Sequence, residues 1–192
     1  MKRANNFYKL SINELGQDIN KKALDFSERV VNETYNRFNY GQARRKQVIY
    51  VGKISEEVFI HFAKNVLNIE LQSNYQIYEG TNNVDNYDFQ INEKTIDIKS
   101  SKDTRNEGIQ KCFDYFNFPV PTDQTIKDIT ISIIYDCNIQ NFNMVSWIDI
   151  ETYKNNYKIN KLPVGNNESR DFYLYKIKNG WSLDELKGYL NL

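Results

Sequence analysis

Apolar and polar residues alternate most regularly between Asn86 and Ser101. Two short runs have an apolar side chain at every second position, and Asn92-Glu93-Lys94 separates them. Because side chains of a β-strand point to alternate faces, this pattern predicts two strands joined by a tight turn. The apolar faces carry Tyr87, Phe89, Ile91, Ile96 and Ile98, and the polar faces carry Asn86, Asp88, Gln90, Thr95, Asp97, Lys99 and Ser101.

Four stretches repeat apolar residues with the period of an amphipathic helix. They cover residues 18–38, 52–69 and 104–116, and a closing helix that starts after Ser182. One side of the first helix carries Leu24, Val31, Tyr35 and Phe38 and is predicted to pack on the core. The alternative is a dimer helix or a DNA-clamping arm. Thr104 and Glu107 have the spacing of a capping box, which predicts the start of the third helix.

Runs rich in β-branched and aromatic residues predict further strands at 71–78, 128–136, 144–149 and 172–177. Asp149 is predicted to cap a short helix. Residues 1–16 and 160–172 are polar and are predicted to be irregular, while the prolines of 118–122 favour an extended segment. This order of elements predicts an α/β fold, with a central sheet flanked by helices.

The charge and cysteine content limit the classes of function. The chain has 25 basic and 25 acidic residues, so its net charge of zero argues mildly against nonspecific coating of nucleic acid. Cys112 and Cys137 are far apart and have no histidine cluster nearby, so we predict reduced thiols instead of a disulfide or zinc site. We find no signal-peptide pattern and no apolar run that could span a membrane, and we expect a cytoplasmic protein.

The polar faces of the predicted hairpin carry two carboxylates and an amine: Asp88, Asp97 and Lys99. Such a set can bind a metal ion and hold a water molecule beside it. Asp85 is the alternative to Asp88 as the first carboxylate. A regular strand would place Asp85 on the face of Tyr87, which favours Asp88, but a β-bulge would reverse that assignment.

Asp88, followed at a distance by Asp97-Ile98-Lys99, resembles the D…(D/E)-x-K motif of the PD-(D/E)XK nuclease superfamily, which includes most type II restriction endonucleases. The position before Asp88 holds Tyr87 where the family name has proline. The resemblance implies a restriction-endonuclease-like fold, in which helices flank a central mixed sheet. It implies one such domain over the whole chain, with an N-terminal helical extension over about residues 1–50.

The resemblance also implies the roles of the site residues. Asp88 and Asp97, with the backbone carbonyl of Ile98, would bind Mg²⁺ or, alternatively, Mn²⁺. Lys99 would orient the attacking water or stabilise the charged transition state. Glu56 would supply an accessory carboxylate for a second metal ion or a water molecule, because the Gly-x-x-x-Glu opening at Gly52 looks like the helix before the family's catalytic hairpin.

Helical geometry separates Glu56 from its neighbour. At 100° per residue, Glu56 falls inside the apolar arc of the helix at 52–69, and Glu57 falls outside it. A carboxylate on a buried helix face is costly unless it is paired or binds a metal. The alternative is that Glu56 is partly exposed in the first helical turn, where the helix dipole favours an acid.

Two groups of basic residues are candidates for contacts with DNA phosphates: Arg44, Arg45 and Lys46, and then Lys102 and Arg105. The first group has a plainer interpretation as a solvated basic loop, and the second lies in a loop predicted to run alongside DNA. The resemblance implies a type II restriction endonuclease that cuts double-stranded DNA as a homodimer, with a cognate DNA methyltransferase in the same system. The alternatives are a repair, phage or junction-resolving nuclease of the same superfamily, or a non-catalytic nucleic-acid-binding module.

Overall fold

The computed structural model describes residues 1–31, 41–76, 87–104, 106–165 and 168–192. Within these ranges the chain has a mixed α/β architecture of two sheets and several helices, so the predicted α/β class is confirmed. None of the helices in the described ranges is both long enough and apolar enough to cross a membrane.

The larger sheet has five strands in the order β1-β6-β5-β3-β2. Their bounds are Tyr8–Ser11 (β1), Phe89–Ile91 (β2), Lys94–Asp103 (β3), Ile129–Asp136 (β5) and Asn141–Asp149 (β6). β3 and β5 are parallel and the other neighbours are antiparallel, so the sheet is mixed. The prediction that residues 1–16 are irregular is wrong at β1, which pairs along the edge of the sheet and buries only Leu10.

The smaller sheet has the order β4-β8-β7, formed by Asn117–Pro121 (β4), Lys158–Gly165 (β7) and Glu168–Lys176 (β8). β7 and β8 form a hairpin over most of residues 160–172, which corrects the prediction of a loop there. The described side chains of β7 are largely exposed, so this edge strand lacks an apolar face that a pattern could reveal. Residues 71–76 form no strand, and the rest of the strand predicted at 71–78 lies outside the described residues.

The helices are Ile12–Leu15 (α1), Gln17–Val30 (α2), Gln42–Phe62 (α3), Ile109–Tyr115 (α4), Ile150–Asn156 (α5) and Leu186–Tyr189 (α6). α3 begins at Gln42 and not near residue 52, so the basic cluster at 44–46 is helical. The inward face of α2 carries Ala23, Ser27 and Val30, whereas Leu24 is 40% exposed, contrary to the prediction. Tyr35 and Phe38, assigned to the same face, lie outside the described residues.

The start of α4 also differs from the prediction. Thr104 and Glu107 do not form the capping box, because the carboxylate of Asp103 accepts hydrogen bonds from the backbone nitrogens of Glu107 (3.2 Å) and Gly108 (2.9 Å). In addition, β3 continues to Asp103, whereas a loop was predicted to begin at Ser101. Asp149 caps α5 as predicted, since its Oδ1 accepts from the nitrogen of Thr152 at 2.8 Å.

Hydrophobic cores lie on both faces of the larger sheet. Ile96, Ile129 and Ile131 pack in one core with the α3 residues Ile54, Val58 and Phe59. Ile134, Val145 and Ile148 face the other core, which includes Cys112 and Phe113 of α4, Tyr153 of α5 and Phe118 of β4. The hairpin β2–β3 packs against α3 through Phe89, Ile91 and Ile96. Both cysteines are free thiols, with Cys112 buried and Cys137 partly exposed.

Trp147 of β6 anchors the C-terminal segment to the sheet. Its side chain is fully buried, and its Nε1 donates a hydrogen bond to the carbonyl oxygen of Ser182 at 2.8 Å. Its backbone nitrogen and oxygen pair with those of Trp181, and its ring lies 4.8 Å from the ring of Tyr189 in α6. One side chain thus connects the main core with both the 3₁₀ turn at Leu183–Glu185 and α6.

Asp128 fixes the alignment of the two parallel strands. Its Oδ2 accepts hydrogen bonds from the backbone nitrogen of Thr95 (2.8 Å) and from its Oγ1 (2.7 Å). This pairing accompanies a register in which Asp97 lies opposite Thr130 and Lys99 opposite Ser132. A shift of one residue would exchange the faces of β3 and move both charged side chains to the opposite side of the sheet.

Candidate active site

The hairpin β2–β3 places Asp88 directly against β3. The backbone nitrogen of Asp88 donates to the carbonyl oxygen of Ile96 at 3.0 Å, and its Oδ2 accepts from the nitrogen of Ile98 at 2.6 Å. The turn falls at Asn92 and Glu93, both with positive φ, as tight hairpin turns require. Asp88 thus lies within the predicted hairpin, while Asp85, its rival, lies outside the described residues.

Asp97 and Lys99 form an ion pair on one face of β3. The Nζ of Lys99 lies 2.7 Å from the Oδ2 of Asp97, and their side chains are 25% and 19% exposed, respectively. Ile96 and Ile98 point toward the core on the side of α3, so strand alternation places the ion pair on the other face, as predicted. The partial exposure leaves both groups accessible to a ligand.

The charges of Asp97, Lys99 and Lys53 all act on the carboxyl of Asp88. Burial raises the pKa of its carboxyl to about 6, and the negative charge of Asp97 adds to the rise. The hydrogen bond from Ile98 and the charges of Lys99 and Lys53 act in the opposite direction. The two carboxylates therefore repel each other in a buried setting, and a bound divalent cation would relieve both the repulsion and the burial of charge.

Glu56 approaches Asp88 from α3. Burial raises its pKa to about 7, the ammonium of Lys53 lowers it, and the charge of Asp88 raises it further. The Oε2 of Glu56 accepts from the Nζ of Lys53 at 2.6 Å, and the two side chains are only 16% and 9% exposed. Glu56 is thus on the inner side of α3, within electrostatic range of Asp88, as the helical wheel predicted.

Lys53 is the site residue that sequence reasoning missed. Its Nζ also donates to the backbone carbonyl of Asn74 at 2.8 Å, so the ammonium joins α3 to the segment that follows it. The signal was present in the sequence: Lys-x-x-Glu spacing places Lys53 and Glu56 on one helix face. A lysine between Val51 and Ile54, both buried, has to find an acidic or carbonyl partner.

Glu57 does not point into solvent, contrary to the prediction that it lies outside the apolar arc. Its residue is 7% exposed, and its Oε1 accepts hydrogen bonds from the hydroxyl of Tyr75 at 2.8 Å and from the hydroxyl of Ser73. The helical wheel failed because residues 71–76 cover this side of α3. Glu57 therefore fastens that segment to the helix.

Asp88 and Asp97 are the residues that fit Mg²⁺ best. Among the described residues, no group of three or more His, Cys, Asp and Glu side chains is arranged to hold a metal ion. Mg²⁺ needs fewer protein ligands, because it keeps several waters and commonly binds one or two carboxylates. Asp88 and Asp97 supply two such carboxylates, and Asp88 also accepts a hydrogen bond from the backbone nitrogen of Ile98.

The structure disperses the basic residues that were predicted to contact DNA. Arg44, Arg45 and Lys46 lie in the first turns of α3, where Lys46 pairs with Glu28 of α2. Arg45 shares a helix face with Glu56 but lies roughly 16 Å away along the axis. Lys102 lies on the opposite face of β3 from Lys99, beside Cys137, and is not gathered into this group. Arg105 lies outside the described residues.

Comparison of the chain with family models, curated proteins and solved structures finds no match.

Proposed function

We propose that the chain is a Mg²⁺-dependent DNA endonuclease of the PD-(D/E)XK superfamily, of the type II restriction kind. One observation carries the proposal: two carboxylates, Asp88 and Asp97, repel each other beside an ammonium that lies 2.7 Å from the second of them. Metal-dependent phosphodiester hydrolysis can use this combination of a cation-binding pair and a fixed positive charge.

The order of elements around this group supports a restriction-endonuclease-like fold. α3 precedes the hairpin β2–β3, and α4 precedes β5, which returns parallel to β3. Helices of the two layers flank the mixed sheet, and α3 supplies Glu56 as the resemblance implies. The proposal treats the chain as one catalytic domain of this kind.

In the proposed reaction, Asp88 and Asp97, with the carbonyl of Ile98, would hold Mg²⁺. When bound there, the ion would supply an acidified water and neutralise charge on the phosphate. Lys99 places its ammonium where negative charge develops on the phosphate oxygens. Glu56, held by Lys53 and with a pKa near neutrality, is suited to accept a proton from water.

The test is digestion of a closed circular plasmid of known sequence, first with Mg²⁺ and then with Ca²⁺. We expect discrete fragments with Mg²⁺, and binding without cleavage with Ca²⁺. A palindromic recognition site requires two copies of this single-site chain related by a two-fold axis, so we expect a homodimer on DNA. A neighbouring DNA methyltransferase gene would support a role in restriction.

Other outcomes of the digestion would redirect or contradict the proposal. Degradation from free ends, or a preference for branched DNA, would indicate a repair, phage or junction-resolving nuclease instead of a restriction enzyme. Binding of DNA without cleavage in Mg²⁺ or Mn²⁺ would identify a non-catalytic module. A protein that neither binds nor cuts DNA would contradict any proposed role with nucleic acid.

Mg²⁺ is expected to raise the melting temperature strongly at about pH 8 and only weakly at about pH 5. The raised pKa values of Asp88 and Glu56, about 6 and about 7, mean that the folded state binds more protons than the unfolded state in this window. Without metal, stability therefore falls as pH rises through these values. Mg²⁺ binds the ionised carboxylates and offsets this loss only where they are ionised.

Thermal melts with and without Mg²⁺ at the two pH values test this expectation, and Asp88→Asn is the matched control. Asp128 and Asp149 do not interfere, because their pKa values are lowered and they stay ionised throughout this window. An equal shift by Mg²⁺ at both pH values, or a shift that survives in Asp88→Asn, would contradict the assignment of Asp88 as a ligand.

Glu56→Gln and Glu57→Gln are expected to separate catalysis from stability. Glu56→Gln should reduce the Mg²⁺-dependent rate by about tenfold or more, because it removes the carboxylate near Asp88. Glu57→Gln should mainly lower stability, since it weakens the acceptor for Tyr75 and Ser73. Cleavage rates and urea unfolding of both variants provide the comparison, and a larger rate loss in Glu57→Gln would refute the assignment of Glu56.

A further inference from the structure

A cleft on the other side of Lys53 has not been used by the proposed reaction. It has a volume of about 290 Å³ and is lined by Lys22, Asp25, Phe26, Arg29 and Tyr75. The first four residues come from α2, at a spacing that places them along one face of the helix. Tyr75 closes the opposite side from the segment that follows α3. We refer to these five residues as the aromatic cleft.

Lys53 connects the aromatic cleft to the candidate active site. Its ammonium lies 4.9 Å from the centre of the Phe26 ring and 5.3 Å from that of Tyr75. The same ammonium is 2.6 Å from the Oε2 of Glu56. A ligand in the cleft is therefore separated from the carboxylate of Glu56 by the side chain of Lys53.

The lining combines two aromatic rings with two cations. The rings of Phe26 and Tyr75 meet edge to face, with centroids 5.5 Å apart and planes at 86°, and both residues are only partly buried. Aromatic rings of this kind stack with nucleic-acid bases irrespective of sequence. Lys22 and Arg29 are exposed on the α2 side, where they can pair with a phosphate. Asp25 offers an acceptor to a base amino group, as carboxylates do for cytosine.

We propose that the aromatic cleft binds one unpaired nucleotide of the strand that the active site cuts. The volume is at the low end for small-ligand pockets, which suits one base with its phosphate and excludes a duplex. The proposal rests on the proposed nuclease function, and it adds that the preferred substrate carries an unstacked nucleotide near the scissile phosphate. Enzymes that extrude a base from the stack receive it in a pocket of this kind.

The experiment measures binding of the full chain in Ca²⁺, where cleavage is not expected. The probe is a DNA duplex with one unpaired 2-aminopurine, and the reference is the same duplex with 2-aminopurine paired to thymine. We expect about tenfold tighter binding of the unpaired probe. We also expect its fluorescence to be quenched on binding, because stacking on Phe26 or Tyr75 quenches 2-aminopurine.

Three variants test the lining. Phe26→Leu keeps an apolar side chain under Lys53 but removes the aromatic ring, and should abolish both the preference and the quenching. Arg29→Gln changes an exposed side chain, so the fold stays intact, and it should weaken binding several-fold and make binding less dependent on salt. Lys21→Gln is the matched control, because Lys21 is exposed on α2 but does not line the cleft, and it should bind like the wild type.

Two outcomes would overturn the inference: wild-type preference and quenching in Phe26→Leu, or displacement of the probe by micromolar free deoxynucleotide, which would indicate a mononucleotide site. The two proposals fail separately. Plasmid cleavage with no role for Phe26 in binding would reject the cleft and retain the nuclease. Phe26-dependent binding by a chain that never cuts DNA would reject the nuclease and retain the cleft as a nucleotide site.

Discussion

Lys99→Ala is expected to abolish the proposed Mg²⁺-dependent DNA cleavage, with a loss of about a thousandfold in rate or more. The ammonium of Lys99 is the cation nearest to Asp97 and lies on the face of β3 where the proposed reaction occurs. Its removal leaves the charge that develops on the phosphate without a fixed counter-charge. Asp97→Ala should have a comparable effect, because it removes one of the two carboxylates that hold the metal.

Cleavage of plasmid by the purified variants, with circular dichroism to verify folding, measures this loss. Lys94→Ala is the matched control, since Lys94 belongs to the same strand but contacts the ring of Tyr189 at 4.4 Å instead of the carboxylates. Asp85→Ala should be tolerated far better than Asp88→Ala, and the opposite ranking would transfer the first ligand to Asp85. Full activity of either folded Lys99→Ala or Asp97→Ala would reject the proposed function.

Trp147→Ala is expected to lower the free energy of unfolding by about 3–5 kcal/mol. The substitution empties the largest fully buried site of the core and leaves the carbonyl of Ser182 without the hydrogen bond from Nε1. A domain of this size is stable by only about 5–15 kcal/mol, so a large part of the total would be lost. Release of the segment at 181–189 should accompany the loss, because Tyr189 packs on the same ring.

Urea unfolding followed by circular dichroism measures the effect. Trp147→Phe is the control, since it restores most of the volume but not the hydrogen bond, and should cost clearly less than alanine. A cost below about 1 kcal/mol for Trp147→Ala would mean that Trp147 does not connect the sheet with the C-terminal segment as the contacts indicate.

The sequence predicted the parts of the fold whose side chains are half-buried or fully buried. The hairpin at 89–103 and the strands β5 and β6 have a strong period-two or continuous apolar signal, and they were predicted near their observed positions. β1 and β7 were missed because few of their described side chains are buried, so no alternating apolar face marks them in the sequence. The helix cap predicted at Asp149 is confirmed. The cap predicted at Thr104 is wrong, because the carboxylate of Asp103 accepts from the backbone nitrogens of Glu107 and Gly108 instead.

The sequence predicted only those parts of the candidate site whose residues are neighbours within one strand or one helix. Alternation along β3 placed Asp97 and Lys99 together, and the helical wheel placed Glu56 inward. A helical wheel contains no information about a later segment that packs over the helix. The burial of Glu57 under residues 71–76 was therefore not predicted. Lys53 was not predicted, because the pattern of acidic residues alone does not indicate the cation that holds Glu56 in place.

The two halves of this site differ in how far apart their residues lie along the chain. Asp88 and Asp97 belong to one hairpin, and hairpins form within about 1–10 μs. Such a hairpin is marginal alone, and the parallel partner β5 and the packing of α3 require the closure of long chain segments, which is slow. The repelling carboxylates therefore meet early, and Lys53 and Glu56 join them late. We expect catalytic competence to appear only with the complete fold, so that a nascent chain carries the motif without the activity.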